Sequence, residues 1–255
     1  MPVLFIGHGS PMNAIEDNEF SLEWQRIGTR IPRPSAILCI SAHWETRGTR
    51  VTAMATPRTI HDFWGFPAGL HAKEYPAPGS PGLARHVQSL LGTSIVALDT
   101  GWGLDHGTWS VSCRMYPGAD IPVIQLSLDR GLNGRGHHEI GKKLAPLRDQ
   151  GVLIVGSGNI VHNLQEMSMQ DRGYDWAMEF DALVKRLIVA GDDIPLIEYE
   201  QLPRSHLSIP TAEHWLPLLH VLGARDRDDD VRFAAEKVTF GAISMRCIVF
   251  GEPSS

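Results

Sequence analysis

The 255-residue chain is poor in three features, and each shortage removes a class of protein. It has three cysteines, Cys39, Cys113 and Cys247, far apart and in no Cys-x-x-Cys pair. An odd, scattered count argues against a disulfide framework and against a cysteine zinc knuckle. Apolar runs stop at about five residues, where a membrane helix needs roughly 18 or more. The opening MPVLFIGHGSPM lacks the basic start and long apolar core of a signal peptide. No basic run is present either. Lys+Arg 23 against Asp+Glu 29 leaves a net charge of −6, so no nucleic-acid partner is expected. The expectation is a soluble, cytoplasmic protein of a reducing compartment, with no membrane partner; nothing in the sequence specifies an oligomer. No repeat and no Pro/Gly/Ser linker divides the chain, which predicts one catalytic domain over 1–255.

What is present alternates. Strand-like apolar runs lie at Val3–Ile6, Ala36–Ser41, Val51–Thr56, Ser94–Leu98, Pro122–Leu128 and Val152–Gly156, with a long final run Val238–Phe250. Helix-like stretches lie between them, at Phe20–Gly28, Ser80–Leu91, Trp109–Tyr116, Gly134–Gln150, Tyr174–Ala190 and Thr211–Leu222. Gly191 and Gly223 read as helix stops, and Thr211 as an N-cap. Pro217 delays or kinks that last helix. The acidic stretch Asp226–Asp230 reads as a solvated turn. Continuous β-branched runs alternating with helices predict a single-domain α/β fold. Its central sheet is mostly parallel and flanked by helices, with the active site at the C-terminal strand edge.

Histidine is in excess, 12 in all, and position gives it meaning. The first strand runs into Gly7-His8-Gly9-Ser10-Pro11, the second into Ala42-His43-Trp44-Glu45, and the strand at 152–156 into a loop ending in His162-Asn163. Three strands of one sense would each deliver an imidazole to the same edge. Asp105-His106-Gly107 follows another predicted strand by a short loop, and Glu213-His214 opens the last predicted helix. One loop histidine is ordinary; several converging suit zinc, iron, copper or nickel, or catalysis. Glycines at 7, 9, 101, 103, 107, 156 and 158 crowd the same edges and suit tight turns or close backbone approach.

Several familiar motifs are missing. There is no His-Glu-x-x-His, no nucleophile elbow and no complete dinucleotide fingerprint. A proline-pinned loop carries His61, Phe63, Trp64 and Phe66, aromatics that suit a flat ring as substrate.

Seven motifs in order carry a resemblance: Gly7–Met12, Ser41–Glu45, His61–Phe63 with Gly65–Pro67, Tyr75–Gly79, Asp105–Trp109, Gly156–Asn163 and Pro210–Leu218. Over essentially the whole chain they resemble the 4,5-DOPA extradiol dioxygenase group of the class III extradiol superfamily. His71 stands where a tyrosine is more usual in that group.

The resemblance implies one divalent metal per chain, Fe(II) for catalysis, with Zn(II) often the occupant as purified. It matches His8, His43 and His214 to the ligands, Glu213 being the competitor for the third place. It matches His162 to the active-site base and His106 to a second pocket histidine. His61, Phe63, Trp64, Phe66 and Ser10 would line the substrate. The partners implied are a small catechol and O2, with ring opening to a muconic semialdehyde. The same residues would also suit a zinc-dependent hydrolase or a non-catalytic metal-binding protein.

Overall fold

The computed structural model describes residues 1–252; the last three residues of the expected 1–255 domain lie outside the described residues. The strands are β1 Val3–Gly7, β2 Ala36–Thr46, β3 Thr49–Thr52, β4 Val96–Asp99, β5 Val123–Asp129, β6 Val152–Gly158, β7 Val231–Ala234, β8 Val238–Thr239, β9 Ile243–Ser244 and β10 Cys247–Phe250. The helices are α1 Glu19–Arg30, α2 Ala68–His71, α3 Pro81–Leu91, α4 His106–Met115, α5 Gly134–Leu144, α6 Asp175–Ala190, α7 Asp193–Ile197, α8 Ser205–Ser208 and α9 Leu216–Ala224.

Eight strands form one sheet in the order β4-β3-β5-β2-β6-β1-β10-β7. The middle of the sheet, β5-β2-β6-β1, is parallel throughout. The edges add the antiparallel pairs β3·β5, β1·β10 and β10·β7. Successive residues of a strand face opposite layers. Leu38, Ile40 and Ile154 therefore join α3, α5, α6 and α9 in one core, while Ile37, Cys39 and Val155 join α1 and α4 in the other. Burying each such aliphatic side chain contributes about 1.5–3 kcal/mol. Both faces being covered explains the unbroken apolar runs of the central strands. This is the expected single-domain α/β fold.

Some boundaries move. The final run is three short strands rather than one, because Phe240 and Gly241 take positive φ between β8 and β9 and the chain turns. Strand β7 and the short helices α2, α7 and α8 have too few periodic residues to be read in advance. The predicted helix over 134–150 ends at Leu144 and continues as a 3-10 turn over 145–150, which contains Pro146. Helix α4 starts earlier than read, at His106, because Asp105 caps it by accepting from the Thr108 N–H at 3.1 Å.

The last helix needs the largest correction. It begins at Leu216, with Pro217 in its first turn; Thr211 is not its cap, and Glu213-His214 form a turn ahead of it. Gly191 does end α6 in the left-handed region. Gly223 ends nothing. It lies inside α9, where a Cβ would strike the His138 carbonyl of α5, so its role is helix packing. The acidic stretch is the solvated turn expected, with Asp226, Arg227, Asp228 and Asp230 exposed; Asp226 and Asp229 also hold the buried Arg148 guanidinium at 3.1 and 2.7 Å. Among the described residues no helix is long and apolar enough to cross a membrane.

Candidate metal centre

Strands β2, β6 and β1 are neighbours and parallel, so their carboxyl ends open on one edge. His8 follows β1 directly, and its N–H donates to the Gly158 carbonyl at 3.1 Å. His43 lies in the overhang of β2, beyond the last β6 pairing at Ser41, where the β2–β5 register slips between Ile40 and Glu45. Irregularities of this kind re-aim side chains near a strand end. His214 arrives from the other side. Gly158 is small enough for the His214 carbonyl to rest on it; a Cβ there would clash with that oxygen. The next N–H, of Asn159, donates to the same carbonyl at 2.9 Å.

The three imidazoles meet. One nitrogen of each of His8, His43 and His214 lies within 4.8 Å of the others. His8 Nε2 and His43 Nε2 are 3.1 Å apart. The far nitrogens show which atoms carry lone pairs. Ser157 Oγ–H donates to the Gly107 carbonyl at 2.6 Å, so its oxygen accepts from His8 Nδ1–H at 3.0 Å. Glu213 Oε1 accepts from His214 Nδ1–H at 3.0 Å and leaves His214 Nε2 buried without a partner. Asp62 Oδ2 faces His43 Nδ1 at 3.6 Å, an ion-pair distance. His8 and His214 thus turn Nε2 lone pairs toward the centre, and His43 Nε2 lies beside that of His8. The donor set fits a divalent transition ion, and the carboxylate or hydroxyl behind each imidazole is the usual orienting partner.

Electrostatics keeps these rings in the ligating form. Burial first, then the neighbouring imidazoles, hold His8 and His214 well below the ordinary histidine range. Burial and His106 bring His43 down to about 3. All three are neutral at pH 7, as a metal ligand must be.

Two more histidines complete the cluster. His162, from the loop after β6, stacks on His214 with ring centroids 3.5 Å apart and planes at 9°. Burial lowers it to about 4, opposed by the Glu213 carboxylate. His106, the first residue of α4, lies 3.9 Å from His43 ring to ring. Strand β4 runs against β1, β2 and β6, so His106 is delivered by a helix start and not by a strand end. Its N–H donates to Asp62 Oδ1 at 2.9 Å, and its Nδ1 lies 3.0 Å from that oxygen, poorly aligned for a second hydrogen bond. Behind it Asp105 is raised to about 6, burial being the main cause and Asp62 the next; it accepts from Ser41 Oγ at 2.7 Å and from Gln125.

The aromatic loop divides. Phe63 is buried and meets His106 edge-on at 5.7 Å, with Phe66 edge-on to Phe63 at 5.4 Å. His61 is spent on the loop itself, its Nε2 donating to the Lys73 carbonyl at 2.8 Å. Trp64 is 86% exposed. Ser10 sits beside His8 in the chain and accepts from the Met12 N–H at 3.3 Å. His71 is exposed, with its ring 5.0 Å from Phe63. Asp62 and Ser157 belong to the His61–Phe63 and Gly156–Asn163 motifs, and the sequence alone assigns them no role. The available signal was chemical: each imidazole ligand requires a partner for its second nitrogen.

Comparison with known proteins gives this edge its class. Residues 2–251 match the family described as the catalytic LigB subunit of aromatic ring-opening dioxygenase, and the chain belongs to that family. Among its relatives is the 4,5-DOPA dioxygenase extradiol of Escherichia coli (strain K12), 48% identical over 257 residues, covering 98% of this chain and 95% of that one. The protein of the same name from Beta vulgaris is 43% identical over 228 residues, covering 86% and 85%. A crystal structure of an uncharacterized Escherichia coli K12 protein superposes with a TM-score of 0.87 at 44% identity, covering 98% of this chain and 100% of that one. The protein is a member of the extradiol dioxygenase family.

Proposed function

We propose that the protein is a metal-dependent extradiol dioxygenase that opens a DOPA-like or related catechol with O2, beside the diol, to a muconic semialdehyde. The observation that carries this is the trio His8, His43 and His214, each with Nδ1 faced by an oxygen partner and with one nitrogen of each within 4.8 Å of the others. These three would hold one divalent ion per chain, Fe(II) for catalysis and Zn(II) as the expected occupant after purification. When bound, ferrous iron supplies electrons for dioxygen chemistry and acidifies the diol. Glu213 orients His214 and is not itself a ligand in this reading.

The remaining residues handle protons and exclude water. His162 is neutral at pH 7 and takes a hydroxyl proton from the diol; the Glu213 carboxylate steadies the imidazolium that results. Asp62 lies against His106 Nδ1, so His106 Nε2 presents a lone pair that takes up a proton in the pocket and then partners charge developing on oxygen. Phe63 and Phe66 make the apolar wall for the ring. Ser10, His61 and Trp64 complete the substrate-binding set in this reading. The partners are a small catechol and O2. Three buried free thiols accord with a cytoplasmic setting.

The test is to load the protein anaerobically with Fe(II) and follow oxygen uptake with DOPA, caffeate and protocatechuate. A catechol in this panel consumes oxygen and yields a yellow product. No uptake across the panel overturns the proposal.

A further inference from the structure

Asp62 stands between the two halves of the cluster. Its Oδ1 takes the His106 N–H at 2.9 Å and faces His106 Nδ1 at 3.0 Å; its Oδ2 faces His43 Nδ1 at 3.6 Å. It comes from the aromatic loop, next to Phe63, and neither β2 nor α4 supplies it. One carboxylate therefore presents an acceptor to each of two imidazoles that have different tasks.

We infer that Asp62 is a positioning residue that sets the tautomer of His43, placing its proton on Nδ1 so that Nε2 is a ready ligand. The inference rests on the metal-centre reading above. A carboxylate is needed here because it has two acceptors and no donor. Asparagine has one of each, and the backbone decides their places. The His106 N–H cannot be reversed, so the amide oxygen must stay at the Oδ1 position. The amide NH2 then faces His43 Nδ1 and favours a lone pair on that nitrogen. The ring proton moves to Nε2, the atom that should bind the ion. Asp62→Asn thus keeps the shape and reverses the polarity at one ligand. Asp62→Ala removes donor and acceptor alike and leaves His43 free to adopt either form.

This gives an order that a space-filling role would not. If Asp62 only packs, the isosteric Asn is the milder change and Ala the harsher. If it sets the tautomer, Asn is the harsher. The experiment measures Zn(II) affinity by competition with a chromophoric chelator, on the full chain, with no turnover involved. Asp62→Asn is expected to weaken zinc about 10–100-fold, the usual effect of losing an orienting partner, and Asp62→Ala by less. Wild-type affinity in Asp62→Asn, or a greater loss in Asp62→Ala, overturns the inference while leaving the metal centre standing. Failure of the unsubstituted protein to bind zinc sinks both. Amide exchange on unsubstituted protein gives a check that needs no variant: zinc slows exchange at the His106 N–H, which Asp62 holds. An unchanged rate there counts against the link.

Discussion

Away from the metal centre, helices α5 and α9 enclose a second pair of imidazoles. His137 and His220 are both 0% exposed, with ring centroids 5.0 Å apart. The helices are pressed together: a Cβ on Gly141 would meet the His220 carbonyl, and one on Gly223 the His138 carbonyl. Such a contact leaves little room to hydrate a charge. His220 Nδ1–H donates to the Leu216 carbonyl at 3.1 Å, while His220 Nε2 and both nitrogens of His137 have no partner. Burial lowers His137 to about 4, partly opposed by Asp129, and lowers His220 to about 3, with His137 adding to the effect. Unfolded histidine titrates near 6.5. The unfolded chain therefore binds these protons first, and the stability present above pH 6.5 is lost as pH falls toward the folded values. One pKa unit is worth 1.36 kcal/mol. Between pH 7 and pH 5 each ring loses about 2 kcal/mol, and the pair about 4 kcal/mol, against a typical total of about 5–15 kcal/mol.

The assay is urea unfolding of zinc-free protein at pH 7 and pH 5. A double variant, His137→Leu with His220→Leu, is compared with the parent. The quantity read is the change in stability between the two pH values. Packing differences drop out of that change, and so do the metal-centre imidazoles, which both proteins share. The variant should lose about 4 kcal/mol less than the parent over this interval. An equal loss in both proteins would refute the reasoning. Because α9 starts two residues after His214, the same acid transition should also release the third ligand.

Other expectations concern the centre itself. His214→Ala should lose the metal outright, whereas Glu213→Gln should keep it with weaker affinity; metal analysis after dialysis separates them, and retention by His214→Ala would shift ligation to Glu213. His162→Ala should retain metal and lose turnover by about 10²–10⁴-fold, the usual worth of a positioned acid or base. Loss of metal instead would make His162 a ligand.

Much of this was legible beforehand. The β-branched runs ending in Gly7-His8, Ala42-His43 and the loop to His162 marked one sheet edge, because a buried parallel strand must be apolar and must stop where chemistry begins. Helix α9 was harder. Its start at Leu216 and its passage through Gly223 follow from packing against α5, which leaves no mark on local propensity. Trp64 stands exposed while its neighbour Phe63 is buried, a difference that depends on loop packing and leaves no mark on residue type.

The amino-acid order by itself determined the alternation of strand and helix, the burial of the central sheet on both faces, and the placing of imidazoles at strand ends. Those are local or periodic properties, written in runs of residue type. Only the tertiary structure decided that His8, His43 and His214 come together, that Glu213 stands behind His214, and that Ser157 and Asp62 lie against Nδ1 of His8 and His43. Partners 149 residues apart, as His8 and Ser157 are, meet through the pairing of β1 with β6, and hydrogen-bond direction depends on what each atom faces once the chain has closed.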